Sequence, residues 1–408
     1  MPHRVTVRRP EGPPRGSTAL PPSKSVANRA LILAALAGDL QCVKHFGEAD
    51  DTRILHQLLR DRPAEMHCGD GGTTFRFLLA WACVQEGEKH LITGNPRLLQ
   101  RPHAPLVEAL RELGADITEE ANGFQVRGKK MRGGTITLDS PESSQFISAL
   151  LLVAPCFSEG LELQWTGLRL SGPYVRMTLE MLGRFGAHAF EDDVAIRVES
   201  GPLTAAEMYI PADWSAAAFW FEVAALAPGT DLHFIDMAGP SLQGDEEAIS
   251  LFIRYTHCTL LGKKLILHGR NWEGPDPYHA DLTDTPDLFQ PLAFALAGLG
   301  IAAEFTGLHN LPLKETDRLK AVAEALRTLG CSAEYDGGTF KLQGGVTNLR
   351  PPPFDPQGDH RMAMALAPLA LVCDEVTILR PEVVNKSYPG FWEDMKHAGF
   401  SVEFSQGV

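Results

Sequence analysis

The sequence predicts an α/β fold, with globular domains assembled from about six helix-and-strand units. Three observations carry this. A helix end, a glycine and two short strands recur at an even spacing near seventy residues. The chain has 408 residues, whereas single cores stop growing near roughly 250–300, so two or three domains are expected. The most apolar stretches, such as 291–303 and 362–373, lie inside the chain and are too short to span a bilayer; they read as buried helices.

The units can be placed in order. LRELGADITEEANGFQVRG surrounds Gly114, LGRFGAHAFEDDVAIRVES surrounds Gly186, LRTLGCSAEYDGGTFKLQG surrounds Gly330, and MKHAGFSVEF surrounds Gly399. The gaps are 72, 144 and 69 residues, and the middle gap is two periods. The missing copy falls near residue 258, where IRYTHCTLLGKKLILHG keeps a degraded outline, and a weak first copy is LLRDRPAEMHCG before Gly72. In each, glycine after a helix is the left-handed cap, and the alternating residues beyond it fit strands with one buried face. Each unit holds both helix and strand, which favours globular domains over an extended array. The stretches 11–16 and 351–359 are proline- and glycine-rich loops, and no low-complexity linker divides the chain.

Composition excludes several functions. The formal charge is −14, apolar residues make up 44% and charged residues 22%; this is a globular composition without the basic footprint of a nucleic-acid binder. The seven cysteines are odd in number and form no CxxC, so reduced, mostly buried thiols in a cytosolic chain are expected. The first sixteen residues lack the apolar core of a signal peptide. There is no HExxH, no EF-hand order, no GxGxxG after a strand and no GxSxG, so no metal and no dinucleotide is expected.

Seven clusters carry chemistry. Pro21-Pro22-Ser23-Lys24-Ser25 precedes an apolar run with Arg29 in its first turns. A helix start there favours an anion, although a serine cap with a solvated lysine accounts for it as well. Cys68-Gly69-Asp70-Gly71-Gly72-Thr73-Thr74-Phe75-Arg76 lets backbone approach a ligand, or is simply a flexible turn. Pro141-Glu142-Ser143-Ser144-Gln145 opens another apolar helix as a cap, a phosphate site or both. Lys314-Glu315-Thr316-Asp317-Arg318 places Lys314 and Arg318 four apart on one helical face, a common surface pattern. Asp359-His360-Arg361 abuts a very apolar helix, an odd place for a charge without a partner. Asn385-Lys386-Ser387-Tyr388 is the sixth cluster. Asp287, in Thr285-Pro286-Asp287, opens an apolar run and reads first as an N-cap.

In order, PPSKSVANRALILAALAG, GDGGTTFRFLLA, NPRLLQRP, ESSQFISALL, SGPYVRMT, TPD, NLPLKETDRL, GDHRMAMALA and NKSYPGFW resemble the 5-enolpyruvylshikimate-3-phosphate synthase family, over nearly the whole chain. KETDRL and DHRMAM are the most specific of these. The resemblance implies two similar domains, each of three βαβαββ units about a pseudo-threefold, with the active site in the cleft between them. By that likeness, 22–212 is one domain and 1–21 plus 213–408 the other. It implies enolpyruvyl transfer from phosphoenolpyruvate to shikimate 3-phosphate with loss of phosphate, through a tetrahedral intermediate. No cofactor is needed, and a cytoplasmic monomer with no nucleic-acid or membrane partner is expected.

The resemblance also assigns residues. Lys24, Ser25, Arg29, Ser143, Ser144, Ser171, Tyr174, Asn310 and Lys314 would hold shikimate 3-phosphate, with Ser25 and Arg29 on its carboxylate side. Arg101, Gln145, Arg318, Arg361 and Lys386 would clamp phosphoenolpyruvate, with the Gly72 backbone against it and Lys24 between the two substrates. Asp287 would take the proton of the 5-hydroxyl, and Glu315 and Lys24 are candidates at the methylene carbon. Such a site needs cations around two carboxylates and two phosphates, inside a chain acidic elsewhere. The chain departs from the family at Asp70 and Phe77, where Asn and Pro are usual, and at Gly172, where a basic residue is usual. Phe77 bears on response to glyphosate, the family's inhibitor. The stretch 245–283 fits least well. Lys24-Ser25 in place of Lys-Asn, and Pro96 in place of a reactive Cys, disfavour the related UDP-N-acetylglucosamine transferases.

Overall fold

A computed structural model describes residues 4–139, 143–167, 171–237, 241–272 and 277–406. Pro141 and Glu142 of the third cluster lie outside the described residues. The chain divides into two compact units, 22–210 and 1–21 with 211–408. The second crossing lies two residues before the expected 212/213. Backbone bonds fix it: Ile210 N–H donates to the Lys44 carbonyl in one unit, and Ala212 N–H to the Asp236 carbonyl in the other.

In the 22–210 unit, Glu65–His67 and Lys89–Thr93 pair in parallel. The helix Gly72–Cys83 connects them. A second helix, Ala104–Glu112, leads to the hairpin Asp116–Glu120 and Gly123–Arg127, which pairs back onto Lys89–Thr93. The same route repeats with parallel Gly134–Asp139 and Leu161–Thr166 around the helix Ser144–Val153. The helix Gly172–Arg184 and the hairpin Ala189–Glu191 with Ala195–Val198 complete it. Parallel strands need such a crossover, and the helix supplies it. A shorter third copy joins Met208–Tyr209 to Val43–Lys44, with helices Lys24–Leu36 and Asp50–Asp61.

The other unit follows the same plan. Arg15–Ala19 pairs in parallel with Asp231–Ile235, reached through the helix Trp214–Leu226. Tyr278–Asp281 pairs with Ala303–Thr306, reached through Phe289–Leu299. In the third copy, Phe354 bridges Ile378 in parallel, and the helix His360–Leu366 lies between them. Here the fourth strand comes from the start of the chain: Arg4–Arg8 lies between Val376–Leu379 and Ser401–Ser405.

The repeat glycines Gly114, Gly186, Gly330 and Gly399 all have φ between 83° and 105°, the left-handed conformation that ends a helix at least cost with glycine. The copy near 258 is a real hairpin, Thr256–Leu261 with Lys264–Gly269, but the helix before it has shrunk to Ala248–Leu251. The weak first copy ends its helix on a left-handed Arg62 instead of glycine.

In each unit the crossover helices pack against one another. Every residue of Gly72–Cys83 is buried. Helices covered on all sides carry no polar stripe, which is why these runs read as almost wholly apolar. Their N-terminal ends follow the C-terminal ends of the parallel strands, where backbone N–H groups and the helix dipole favour anions. Five of the seven clusters sit at such ends, at Lys24, Gly72, Ser144, Asp287 and His360. Among the described residues no helix is long and apolar enough to cross a membrane. The cysteines are free, with Cys156 exposed, Cys258 partly buried and the other five buried.

Candidate active site

In the 22–210 unit, Ser23 caps the first helix by accepting from Val26 N–H at 3.3 Å. That holds Lys24 and Ser25 in its first turn. Lys24 Nζ lies 3.1 Å from Asp51 Oδ2, in a pair only 14% and 4% exposed. Arg29 is buried and its guanidinium is largely committed. Nε donates to Thr178 Oγ1 at 2.8 Å, Nη1 to the Ser25 carbonyl at 2.7 Å, and Nη2 to Ser148 Oγ at 3.0 Å and the Tyr174 carbonyl at 3.2 Å. Four of its five N–H groups are thus used among the described residues. Burial pulls Arg29 down to about 10, still charged at neutral pH. The Phe77 ring stacks under it, 5.4 Å from Cζ to centroid.

Gly72 and Arg101 come together as expected. A β-carbon on Gly72 would meet Arg101 Nη1 at 2.7 Å, so only glycine lets the guanidinium lie against that backbone. Gln145 Oε1 accepts from Arg76 Nη1 at 2.5 Å, and Arg76 Nη2 donates to the Pro102 carbonyl at 3.1 Å. Arg76 thereby ties two of the clusters to the NPRLLQRP segment. Ser143 is the N-cap and accepts from Gln145 N–H, with Ser144 as the first helical residue. Ser171, buried, is left-handed at φ 58°, and the Tyr174 ring lies 5.9 Å from Arg29 Cζ. A left-handed serine is strained, a feature that clusters at functional sites.

The other unit holds a tighter network around Arg318. Its Nε lies 2.7 Å from Asp359 Oδ2, Nη1 lies 2.7 Å from Asp287 Oδ1, and Nη2 lies 3.1 Å from Glu315 Oε2. Arg361 Nη2 reaches Asp287 Oδ2 at 2.9 Å, Lys314 Nζ lies 3.6 Å from Asp287 Oδ1, and Lys386 Nζ lies 2.7 Å from Glu315 Oε1. Four cations therefore face three carboxylates. Burial pushes the Asp287 carboxyl up, but Arg361, Lys314 and Arg318 more than reverse this and hold it far below the usual carboxylate range. Burial lowers Arg318, and Asp359, Glu315 and Asp287 outweigh it, so its charge is locked.

Two expectations are corrected here. Asp287 caps nothing. It lies inside the turn Pro286–Leu288, whose N-cap is Thr285, and its carboxylate is spent on the cations. Lys314 and Arg318 do not share a helical face. Lys314 is extended after the turn Leu311–Leu313, and the helix starts at Arg318 with Asp317 as its cap. Both nonetheless converge on Asp287. Asn310 is buried, and its Oδ1 has no hydrogen-bond partner among the described residues. Sequence reasoning missed Asp51 and Asp359, the carboxylates that hold Lys24 and Arg318. Asp359 stood in a quoted motif, while Asp51 had only its place in an acidic helix start as a signal. Among the described residues no group of three His, Cys, Asp or Glu is arranged to hold a metal ion.

A family model described as EPSP synthase (3-phosphoshikimate 1-carboxyvinyltransferase) matches residues 57–395. The chain belongs to the EPSP synthase family. A 3-phosphoshikimate 1-carboxyvinyltransferase of Bacteroides fragilis is 37% identical over 402 residues, 96% of this chain and 97% of the relative. One from Methanospirillum hungatei is 32% identical, covering 94% and 96%. The fold matches the solved EPSP synthase of Acinetobacter baumannii at a TM-score of 0.78 and 22% identity, over 99% of this chain and all of that one. It also matches the enolpyruvyl transferase NikO of Streptomyces tendae at 0.76 and 15%, over the full length of both. The paired-domain α/β architecture expected of EPSP synthases is the one this chain adopts, and the chain is an enolpyruvyl transferase by family.

Proposed function

We propose that the chain transfers the enolpyruvyl group of phosphoenolpyruvate to the 5-hydroxyl of shikimate 3-phosphate and releases phosphate, by addition and elimination through a tetrahedral intermediate. The observation that carries this reading is Asp287, a carboxylate gripped by Arg318 at 2.7 Å and Arg361 at 2.9 Å with Lys314 at 3.6 Å. A secondary alcohol is a weak nucleophile and needs a base within hydrogen-bond reach. A leaving phosphate needs cations already in place. This cluster supplies both.

In this reading Arg318, Arg361, Lys386, Arg101 and Gln145 bind phosphoenolpyruvate, with the Gly72 backbone beside it. Ser143, Ser144, Ser171, Asn310 and Lys314 take the acceptor's phosphate, and Tyr174 lines its ring. Ser25 and Arg29 face its carboxylate, with Arg29 acting mainly as a fixed charge because most of its donors are used internally. Asp287 accepts the hydroxyl proton, and Lys24 and Glu315 exchange the proton at the methylene carbon. Substrate anions would share the cations that now hold Asp287, raising its proton affinity when a base is required. The reading carries with it a cytoplasmic monomer of the shikimate route, needing no cofactor.

Phosphate release from phosphoenolpyruvate, measured with shikimate 3-phosphate and separately with UDP-N-acetylglucosamine, tests it. Release with the first acceptor alone is expected. Release with the nucleotide sugar alone would mean that the acceptor residues are wrongly assigned, and release with neither would overturn the activity.

A further inference from the structure

The buried cation Arg29 of the 22–210 unit is met by an aromatic ring that has no part in the proposed reaction. Arg29 is 1% exposed, and Phe77 has no exposed surface. The hydrogen-bond partners of Arg29 are all neutral: the hydroxyls of Thr178 and Ser148 and the carbonyls of Ser25 and Tyr174. Its Cζ lies 5.4 Å from the centroid of the Phe77 ring and 5.9 Å from that of Tyr174, both inside the roughly 6 Å at which a ring face attracts a cation. Phe77 is fixed where it is. Asn28, the neighbour of Arg29, donates from Nδ2 to Thr73 Oγ1 at 2.9 Å and accepts from Thr52 Oγ1 at 3.1 Å. Thr73 and Phe77 are four apart in one helix and share a face of it, and that helix packs on Lys24–Leu36.

We propose that Phe77 is a positioning residue that sets acceptor specificity: its ring holds the Arg29 guanidinium still and keeps water from it, so that a buried, fixed charge meets the acceptor's carboxylate. The inference rests on the reading of that acceptor as shikimate 3-phosphate. Only one N–H of Arg29, on Nη1, is left over from its bonds among the described residues. A single N–H lacks the geometric grip of a two-pronged Arg–carboxylate pair. Recognition then depends on charge, and the strength of a charge depends on how much water reaches it. Two effects of the ring oppose each other. Its negative face offsets a little of the positive potential of Arg29, and its loss would restore that. Its loss would also admit water and free the guanidinium to move. The second effect is larger, because screening acts on the whole charge and the ring offsets only part of it. Phe77 is also a position at which the chain departs from its family, so this ring is a feature of the chain and not of the family pattern.

Phe77→Leu removes the ring and keeps an apolar side chain. Calorimetric binding is measured with shikimate 3-phosphate and with the analogue whose carboxylate is reduced to a hydroxymethyl group. The affinity for the first should fall about three- to thirtyfold, and that for the second should change less than about twofold. A merely structural role would weaken both alike. In turnover the KM for shikimate 3-phosphate should rise by the same factor, with kcat and the KM for phosphoenolpyruvate unchanged. Equal losses with both acceptors, or no loss with either, would overturn the proposal. If Phe77→Leu does not fold, Phe77→Met serves, since Met adapts to irregular space, and it is judged by the same ratio. Binding separates this inference from the function itself. A selective loss in a chain that never releases phosphate upholds the role of Phe77 and overturns the activity. Turnover by the parent with equal losses in the variant upholds the activity and overturns the role of Phe77. A parent that binds neither acceptor overturns both.

Discussion

Arg318 decides whether the carboxylates of its unit can stay buried together. Its side chain is 2% exposed and Asp359 is fully buried, so the pair lies in a medium where an uncompensated charge is costly. Arg318→Lys supplies one point charge where a planar fork serves three carboxylates. The expected outcome is a loss of about 3–5 kcal/mol in denaturant unfolding, together with a large loss of turnover. A variant as stable as the parent would show that the network is not structural. At this scale the sequence was readable for the cations and for Asp287, because each stood inside a specific motif. Asp51 and Asp359 were not read as partners: Asp51 lies 27 residues from Lys24 and Asp359 lies 41 from Arg318. No local pattern reports contacts at those separations. Ser171 gave no hint of its left-handed backbone either, since the motif shows the residue and not its φ.

Among elements, the helix Trp214–Leu226 holds a conflict that sequence reading passed over. Glu222 is fully buried in it, and neither carboxylate oxygen has a hydrogen-bond partner among the described residues. Burial pushes the carboxyl well above its usual range. A folded-state affinity above the unfolded one means that the native chain binds the extra proton. Stability is therefore fully present below the unfolded value, about 4.3, and declines as pH rises toward the folded one. Glu222→Leu should gain about 1–3 kcal/mol at pH 8, with the advantage shrinking toward pH 4 in urea unfolding curves measured across that range. An advantage independent of pH would mean that packing, not the carboxyl, is responsible. The long crossover helices were legible, because an all-apolar run has few alternatives. Helix starts were less so. Thr285 took the capping position ahead of Asp287, and Asp317 started the helix at Arg318, so the spacing of Lys314 and Arg318 misled.

For the whole molecule, the seventy-residue period was the most informative pattern, and it survives as the recurring parallel pair, crossover helix and hairpin. It faded where an element shrank, as at Ala248–Leu251, since a four-residue helix leaves no apolar period to read. It also could not show that the first strand closes the last sheet. Arg4–Arg8 pairs on both sides, with Val5 and Val7 fully buried and Arg4 Nε donating to Ser405 Oγ at 2.9 Å. Removing residues 1–9 takes out the middle strand of that sheet and should leave an insoluble or largely unfolded unit, checked by solubility and circular dichroism. Native spectra from the truncated chain would place the stability of that unit elsewhere. The proposed activity turns on Asp287, held by Arg318, Arg361 and Lys314, as the base in enolpyruvyl transfer. Its most direct test is phosphate release from phosphoenolpyruvate and shikimate 3-phosphate by the parent chain and by Asp287→Asn, side by side, with unfolding curves for both. Turnover by the parent and a fall of about 10²–10⁴ in the variant are expected, with a cooperative unfolding transition retained. Equal turnover by the two chains, or none by the parent, would contradict it.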